Sequence, residues 1–146
     1  MKTPRRALAA CLALSGLAIS AMSYAAAPPS ISNVPDGKSQ IVFYRLGTII
    51  GAVYGCSVFV KGAKILELGR GRYQVADFEP GRHTFTNRSG GIDVFLEPNE
   101  RRFVMCKVTG GGLTFTPQLS ITDEAAFMKR FPKLKPQAQT ESETVQ

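Results

Sequence analysis

One histidine and three cysteines bound the chemistry open to this chain of 146 residues. A zinc site needs three or four His, Cys or carboxylate ligands, and so few His and Cys exclude most such arrangements. His83 is the one candidate general base. Its nearest acids in sequence are Asp77 and Glu79, and no Gly-x-Ser-x-Gly elbow or metal-binding helix accompanies it. Its place just after Pro80-Gly81 favours a structural role, with the imidazole bonded to a carbonyl or carboxylate while its ring packs. The carboxylates Asp77, Glu79, Asp93, Glu97 and Glu100 flank turns, where solvated acids are common. A retaining glycosidase would need two of them about 5–5.5 Å apart, which a sequence does not show. The expectation is therefore a protein with no catalytic, metal or cofactor-binding residue. The alternative is a hydrolase of an envelope glycan or ester that uses His83 and a nearby acid.

Three further groups could bind rather than react. The stretch Leu46-Gly47-Thr48-Ile49-Ile50-Gly51-Ala52-Val53-Tyr54-Gly55 carries no charge. If exposed, its Ile49, Ile50, Val53 and Tyr54 form an apolar patch of the kind that meets a partner or a membrane. If it folds over one end of the domain, it buries Ile50 and Val53, and both outcomes stay open. The basic turn Gly69-Arg70-Gly71-Arg72 offers guanidinium groups to an anionic polymer or lipid headgroup. The surrounding charge restrains that idea, since residues 61–107 hold nine basic and six acidic side chains. No helix follows the turn to make it a phosphate loop.

Cys56 and Cys106 are the third group. Each sits in an alternating apolar run, Cys56 in phase with Val58 and Val60, and Cys106 in phase with Val104 and Val108. Alternation points both toward a core. They are either one disulfide or two buried thiols. Neither suits a nucleophile, which needs an exposed electropositive setting.

Compartment bears on that choice. Lys2, Arg5 and Arg6 precede an uncharged, Ala- and Leu-rich stretch that ends in Ser23-Tyr24-Ala25. This is the layout of a secretory signal peptide, cleaved after Ala25. The rival is a lipoprotein signal at Leu8-Ala9-Ala10-Cys11, but only four apolar residues separate Arg6 from Cys11. A retained N-terminal anchor is a second rival. Cleavage leaves a chain with 15 Lys and Arg against 11 Asp and Glu, a net charge of +4. That charge on an exported chain argues against nucleic acid as partner. The mature chain is expected to have no transmembrane helix, to be periplasmic or secreted, and to meet an envelope protein or anionic polymer.

The elements that position these groups are strands. Residues 26–38 are a Pro-rich lead-in. Eight short β-patterned runs follow at 39–45, 58–61, 64–68, 73–78, 83–88, 92–97, 102–109 and 113–121. Gly62-Ala63, Pro80-Gly81, Ser89-Gly90-Gly91, Pro98-Asn99 and the Gly110 to Gly112 run separate them as turns. One helix is expected near the end, capped by Thr122, with Ala126, Phe127 and Phe131 on its apolar face and Pro132 closing it. Residues 132–146 are polar and expected to be a disordered tail. The whole reads as a mainly β protein, an antiparallel sandwich over 39–131 with one short C-terminal helix.

The order of pieces resembles the DUF2846 family of small exported bacterial β-domains. The match runs over residues 35–131. It takes in Gly37-Lys38-Ser39-Gln40-Ile41-Val42-Phe43-Tyr44-Arg45, the Val58 to Ile65 hairpin, and Gly71-Arg72-Tyr73 through Pro80-Gly81-Arg82-His83-Thr84. It ends with the strands at 92–97 and 100–108. The Pro-Gly-x-His turn is also similar to that of PEGA-type β modules. The resemblance implies an envelope or secreted β-domain without an assigned activity. Lys61 stands where the family commonly has Asp, and the cysteine pair is not part of its pattern.

Intact mass of the exported protein tests the two ends of this argument together. The expected N-terminus is Ala26, with alkylation of Cys56 and Cys106 only after reduction. A mass retaining residue 11 with a lipid overturns the cleavage expectation.

Overall fold

The computed structural model describes residues 31–49, 54–111 and 114–137. The leader expected at 1–25, most of the lead-in, and residues 138–146 lie outside the described residues. The fold is mainly β, with nine strands in two sheets among the described residues.

Strand β1 (Ser39–Arg45) is buried along its whole length. Its alternation explains how. Ile41 and Phe43 face one side, Val42 and Tyr44 the other, and each side meets its own apolar layer. A strand with two greasy faces belongs in the middle of a sheet. It pairs antiparallel with β4 (Arg72–Phe78) and parallel with β7 (Arg101–Gly111). Outside β7 lies β8 (Thr114–Thr122), and outside β4 lies the two-residue β9 (Lys135–Pro136). The second sheet has the order β3 (Ala63–Leu68), β2 (Cys56–Val60), β5 (Gly81–Asn87), β6 (Gly90–Leu96), all antiparallel.

The expected sandwich is present, but it is not wholly antiparallel. The β1–β7 and β4–β9 pairs are parallel. The Pro80-Gly81 turn is also not a hairpin, because it carries the chain from one sheet to the other. Gly81 has a φ of +131°, and a side chain is rarely accommodated there.

Between the sheets, Phe43, Phe78 and Phe85 pack edge to face around Val58, Leu68, Leu96 and Val104. Cys56 and Cys106 are bridged across this core, from β2 in one sheet to β7 in the other, with 50 residues of separation. In the chain-entropy view a link of that length stabilises by about 4 kcal/mol.

The second layer covers the outer face of the β1 sheet. Helix α1 (Glu124–Met128) begins at Asp123, whose carboxylate accepts from the Ala126 amide at 2.6 Å. The cap is thus Asp123 and not Thr122, which is the last residue of β8 and accepts a bond from the Tyr44 hydroxyl at 3.2 Å. Phe127 lies against four rings, those of Tyr44, Tyr73, Phe103 and Phe131. Ala126, expected on the buried face, is exposed.

The expectation of disorder from 132 onward is corrected for residues 132–137. Phe131–Lys133 form a 3-10 turn, Leu134 is buried, and β9 pairs with β4. The Gln137 amide donates to the Tyr73 carbonyl at 2.8 Å, and Arg72 donates from Nη1 to the Pro136 carbonyl at 3.1 Å. Composition missed this because two apolar side chains and a short ladder suffice to dock a polar segment on an existing face.

Turn positions shifted by a residue or two. The β2–β3 turn is Lys61-Gly62, both at positive φ (49° and 82°), as a two-residue hairpin of right-handed sheet twist requires. The β5–β6 turn is Arg88-Ser89, where the Asn87 carboxamide accepts from the Ser89 amide at 2.9 Å. Asn99 has the expected positive φ (61°), and its side chain accepts from the Gly37 amide at 2.8 Å.

Phe127→Ala removes the ring that all four neighbours share and is expected to cost about 3–5 kcal/mol in chemical denaturation. Met128→Ala, at an exposed position next to it, is expected to stay within about 0.5 kcal/mol. Equal effects of the two would mean that the helical layer is not packed on the sheet.

Candidate functional site

His83 comes first, since the hydrolase reading depends on it. Its Nε2 donates to the Glu79 carbonyl at 2.7 Å, closing the Pro80-Gly81 crossover on itself. The ring packs between Phe78, with centroids 5.3 Å apart, and Phe85, at 6.1 Å. Asp77, Glu79 and His83 do border one shallow depression of about 400 Å³. Each is already engaged there. Asp77 accepts from the Gln40 side chain at 2.9 Å, and Glu79 is ion-paired with Lys38. Pro80 and Gly81 make a turn as expected, here one that crosses between the sheets, and His83 pins it. Cys56 and Cys106 are joined to each other.

The binding candidates fall at one end of the sandwich. Beyond β1 the chain turns through Leu46, Gly47, Thr48 and Ile49, and Gly47 lies against the β3–β4 turn. A side-chain carbon placed on Gly47 would meet the Gly71 Cα at 3.8 Å. The uncharged loop and the basic turn, separate in sequence, therefore sit together. Ile49 is 86% exposed. Tyr54 is 40% exposed and leans on Phe115 at a ring distance of 5.9 Å. Ile50 and Val53 lie outside the described residues. Arg70 is exposed, whereas Arg72 holds β9 through the Pro136 carbonyl.

Arg45, the last residue of β1, was not a candidate in the sequence. It is buried at this end and donates from Nη1 to the Leu68 carbonyl at 3.3 Å. Burial, and then the neighbouring charge of Arg70, pushes its guanidinium below the usual arginine value. Arginine stays protonated in proteins, so the two cations add to one field.

Next to Arg45 a groove of about 490 Å³ opens on the outer face of the β1 sheet, beside α1. Its apolar lining includes Tyr44 and Leu46 from β1 and its loop, Met105 from β7, and Ala126 from α1. Lys107 and Arg130 stand on it, and among the described residues no carboxylate lines it. The sequence names Leu46 in the uncharged loop and Ala126 on the helix, but does not join them into a site, because the groove exists only where three distant segments meet.

No family model matches the chain, and no curated protein matches it. Among solved structures, the N-terminal domain of AlgF from P. aeruginosa is similar at a TM-score of 0.40 and 20% identity, over 62% of this chain and 100% of that domain.

His83→Ala removes one hydrogen bond and a packed ring from the crossover. The expected loss is about 1 kcal/mol of stability, read by urea denaturation. No change in stability would show that His83 does not hold the turn.

Proposed function

We propose that the protein is an exported, non-enzymatic binding module of the cell envelope, and that it engages a negatively charged protein or polymer at the loop end of its sandwich. The contact of Gly47 with Gly71 carries this reading, because it sets exposed Ile49 beside the Arg70 turn. Apolar surface next to guanidinium is the usual composition of a protein-binding patch.

Export is supported by the leader pattern and by the cross-sheet disulfide, a bond that persists in oxidising compartments. No helix among the described residues is long and apolar enough to cross a membrane. The resemblance to DUF2846 is in keeping with an envelope β-domain, since its motifs fall on β1, the β2–β3 hairpin and the Pro80-Gly81 crossover. Against turnover at His83 stand the prior engagements of His83, Asp77 and Glu79 with a carbonyl, a carboxamide and a lysine.

Affinity capture from an envelope extract tests the proposal. Wild type is expected to retain a partner that elutes with salt. Ile49→Ser and Arg70→Ser, both at exposed positions, are each expected to reduce capture about tenfold, the scale of one lost charge-assisted or apolar contact. His83→Ala is expected to capture normally. Retention unchanged in both surface variants overturns the proposed face. Hydrolysis of an envelope glycan or ester, lost in His83→Ala, overturns the non-enzymatic reading.

A further inference from the structure

The groove beside α1 has a composition that the partner-binding proposal does not use. Its floor is apolar, from Leu46, Met105 and Ala126, with the Tyr44 hydroxyl already bonded to Thr122. Its charges are all of one sign. Lys107 and Arg130 are both exposed, and among the described residues neither side chain has an ion-pair or hydrogen-bond partner. Elsewhere the cations Lys38, Lys64 and Arg102 each face a glutamate. The volume, about 490 Å³, lies within the range of small-molecule sites.

We infer that this groove binds a small single-chain amphiphile with an anionic head, its aliphatic chain on Leu46, Met105 and Ala126 and its head between Lys107 and Arg130. The chain gains from leaving water along the apolar floor. The head gains charge-assisted hydrogen bonds from two donors that have no competing acid. A zwitterion or a cation would meet uncompensated positive charge, and a neutral alcohol would leave both donors unanswered. The inference goes beyond the partner face, which lies on Ile49 and Arg70, so either proposal can fail without the other.

Calorimetric titration of the mature protein with decanoate, decanol and decylammonium tests it. Decanoate is expected to bind saturably at one site, about tenfold more tightly than decanol, and decylammonium not to bind. Ala126→Leu puts a larger side chain at an exposed helical position on the floor, where Leu is a good helix former. It is expected to abolish decanoate binding while leaving capture of the envelope partner intact. Lys107→Glu with Arg130→Glu, also exposed, is expected to abolish it independently and decides the matter if the first variant does not fold. Absence of saturable decanoate binding at millimolar concentration overturns the inference. So does equal affinity for decylammonium, or wild-type binding in the charge-reversed variant.

Discussion

The structure depends on one strand being buried on both sides. β1 supplies Ile41 and Phe43 to the space between the sheets, and Val42 and Tyr44 to the layer beneath α1. A shift of its register by one residue would exchange the two sets, and each would meet neighbours of the wrong shape. Its flanks prevent that. Six residue pairs join β1 to β4 and six join it to β7, so its main-chain groups are paired on both edges. The polar residues at its start are also satisfied. The Ser39 hydroxyl donates to the Glu97 carbonyl at 2.6 Å, and buried Gln40 donates to Asp77 and accepts from Arg101 Nε at 2.7 Å. Sidedness thus comes from alternation, while longitudinal position comes from this polar end.

The disulfide and the aromatic cluster divide the remaining work between the two faces. One covalent link holds the second sheet onto the first, and it does so chiefly by restricting the unfolded chain. The C-terminal layer has no such link. It relies on Phe127, Phe131 and Leu134, together with the short β4–β9 ladder. The free energy of detaching it is therefore local and separable from that of opening the sandwich. This matters for the groove, whose walls are α1 on one side and the β1–β7 sheet on the other. Anything seated there contacts the layer that is held without a covalent link, by packing and a short ladder.

Much of this fold is legible in the residues. Period-two alternation located all eight longer strands, and in Ile41-Val42-Phe43-Tyr44 the same alternation accounts for the two apolar faces of β1. The shared phase of Cys56 with Val58, and of Cys106 with Val104, placed both sulfurs in the interior, although only the folded chain shows them joined. Turn chemistry found Gly81 and Asn99 but misplaced Gly62-Ala63 and Ser89-Gly90-Gly91 by one or two residues. A pair such as Lys61-Gly62 satisfies a hairpin as well as its neighbours do, and side-chain phase does not separate the choices when the strand carries a bulge, as β3 does opposite Val58 and Phe59. Sheet membership was not legible. Pro80-Gly81 looks the same whether the chain returns beside itself or crosses to the other sheet, because the local backbone requirement is shared.

The site was less legible for a related reason. Sequence proximity found the uncharged loop and the basic turn as separate features, and their meeting at Gly47 and Gly71 is a contact between residues 24 apart in numbering. The groove is more distant still, drawing Leu46, Lys107 and Arg130 from three segments. Each of these has an ordinary local explanation: a residue after a strand, a solvent-facing lysine, a cation after a short helix. Only their convergence makes them unusual, through an excess of one charge around an apolar floor. Convergence follows from the parallel pairing of β1 with β7, which sets the end of β1 beside Cys106 and so beside Lys107 in the middle of β7. An antiparallel pairing would have brought the start of β7, with Arg101, Arg102 and the Glu100 that pairs with Arg102, toward that end instead. The parallel register is therefore what leaves the groove free of carboxylates, and it ties the chemistry of the surface to the same central strand that organises the core.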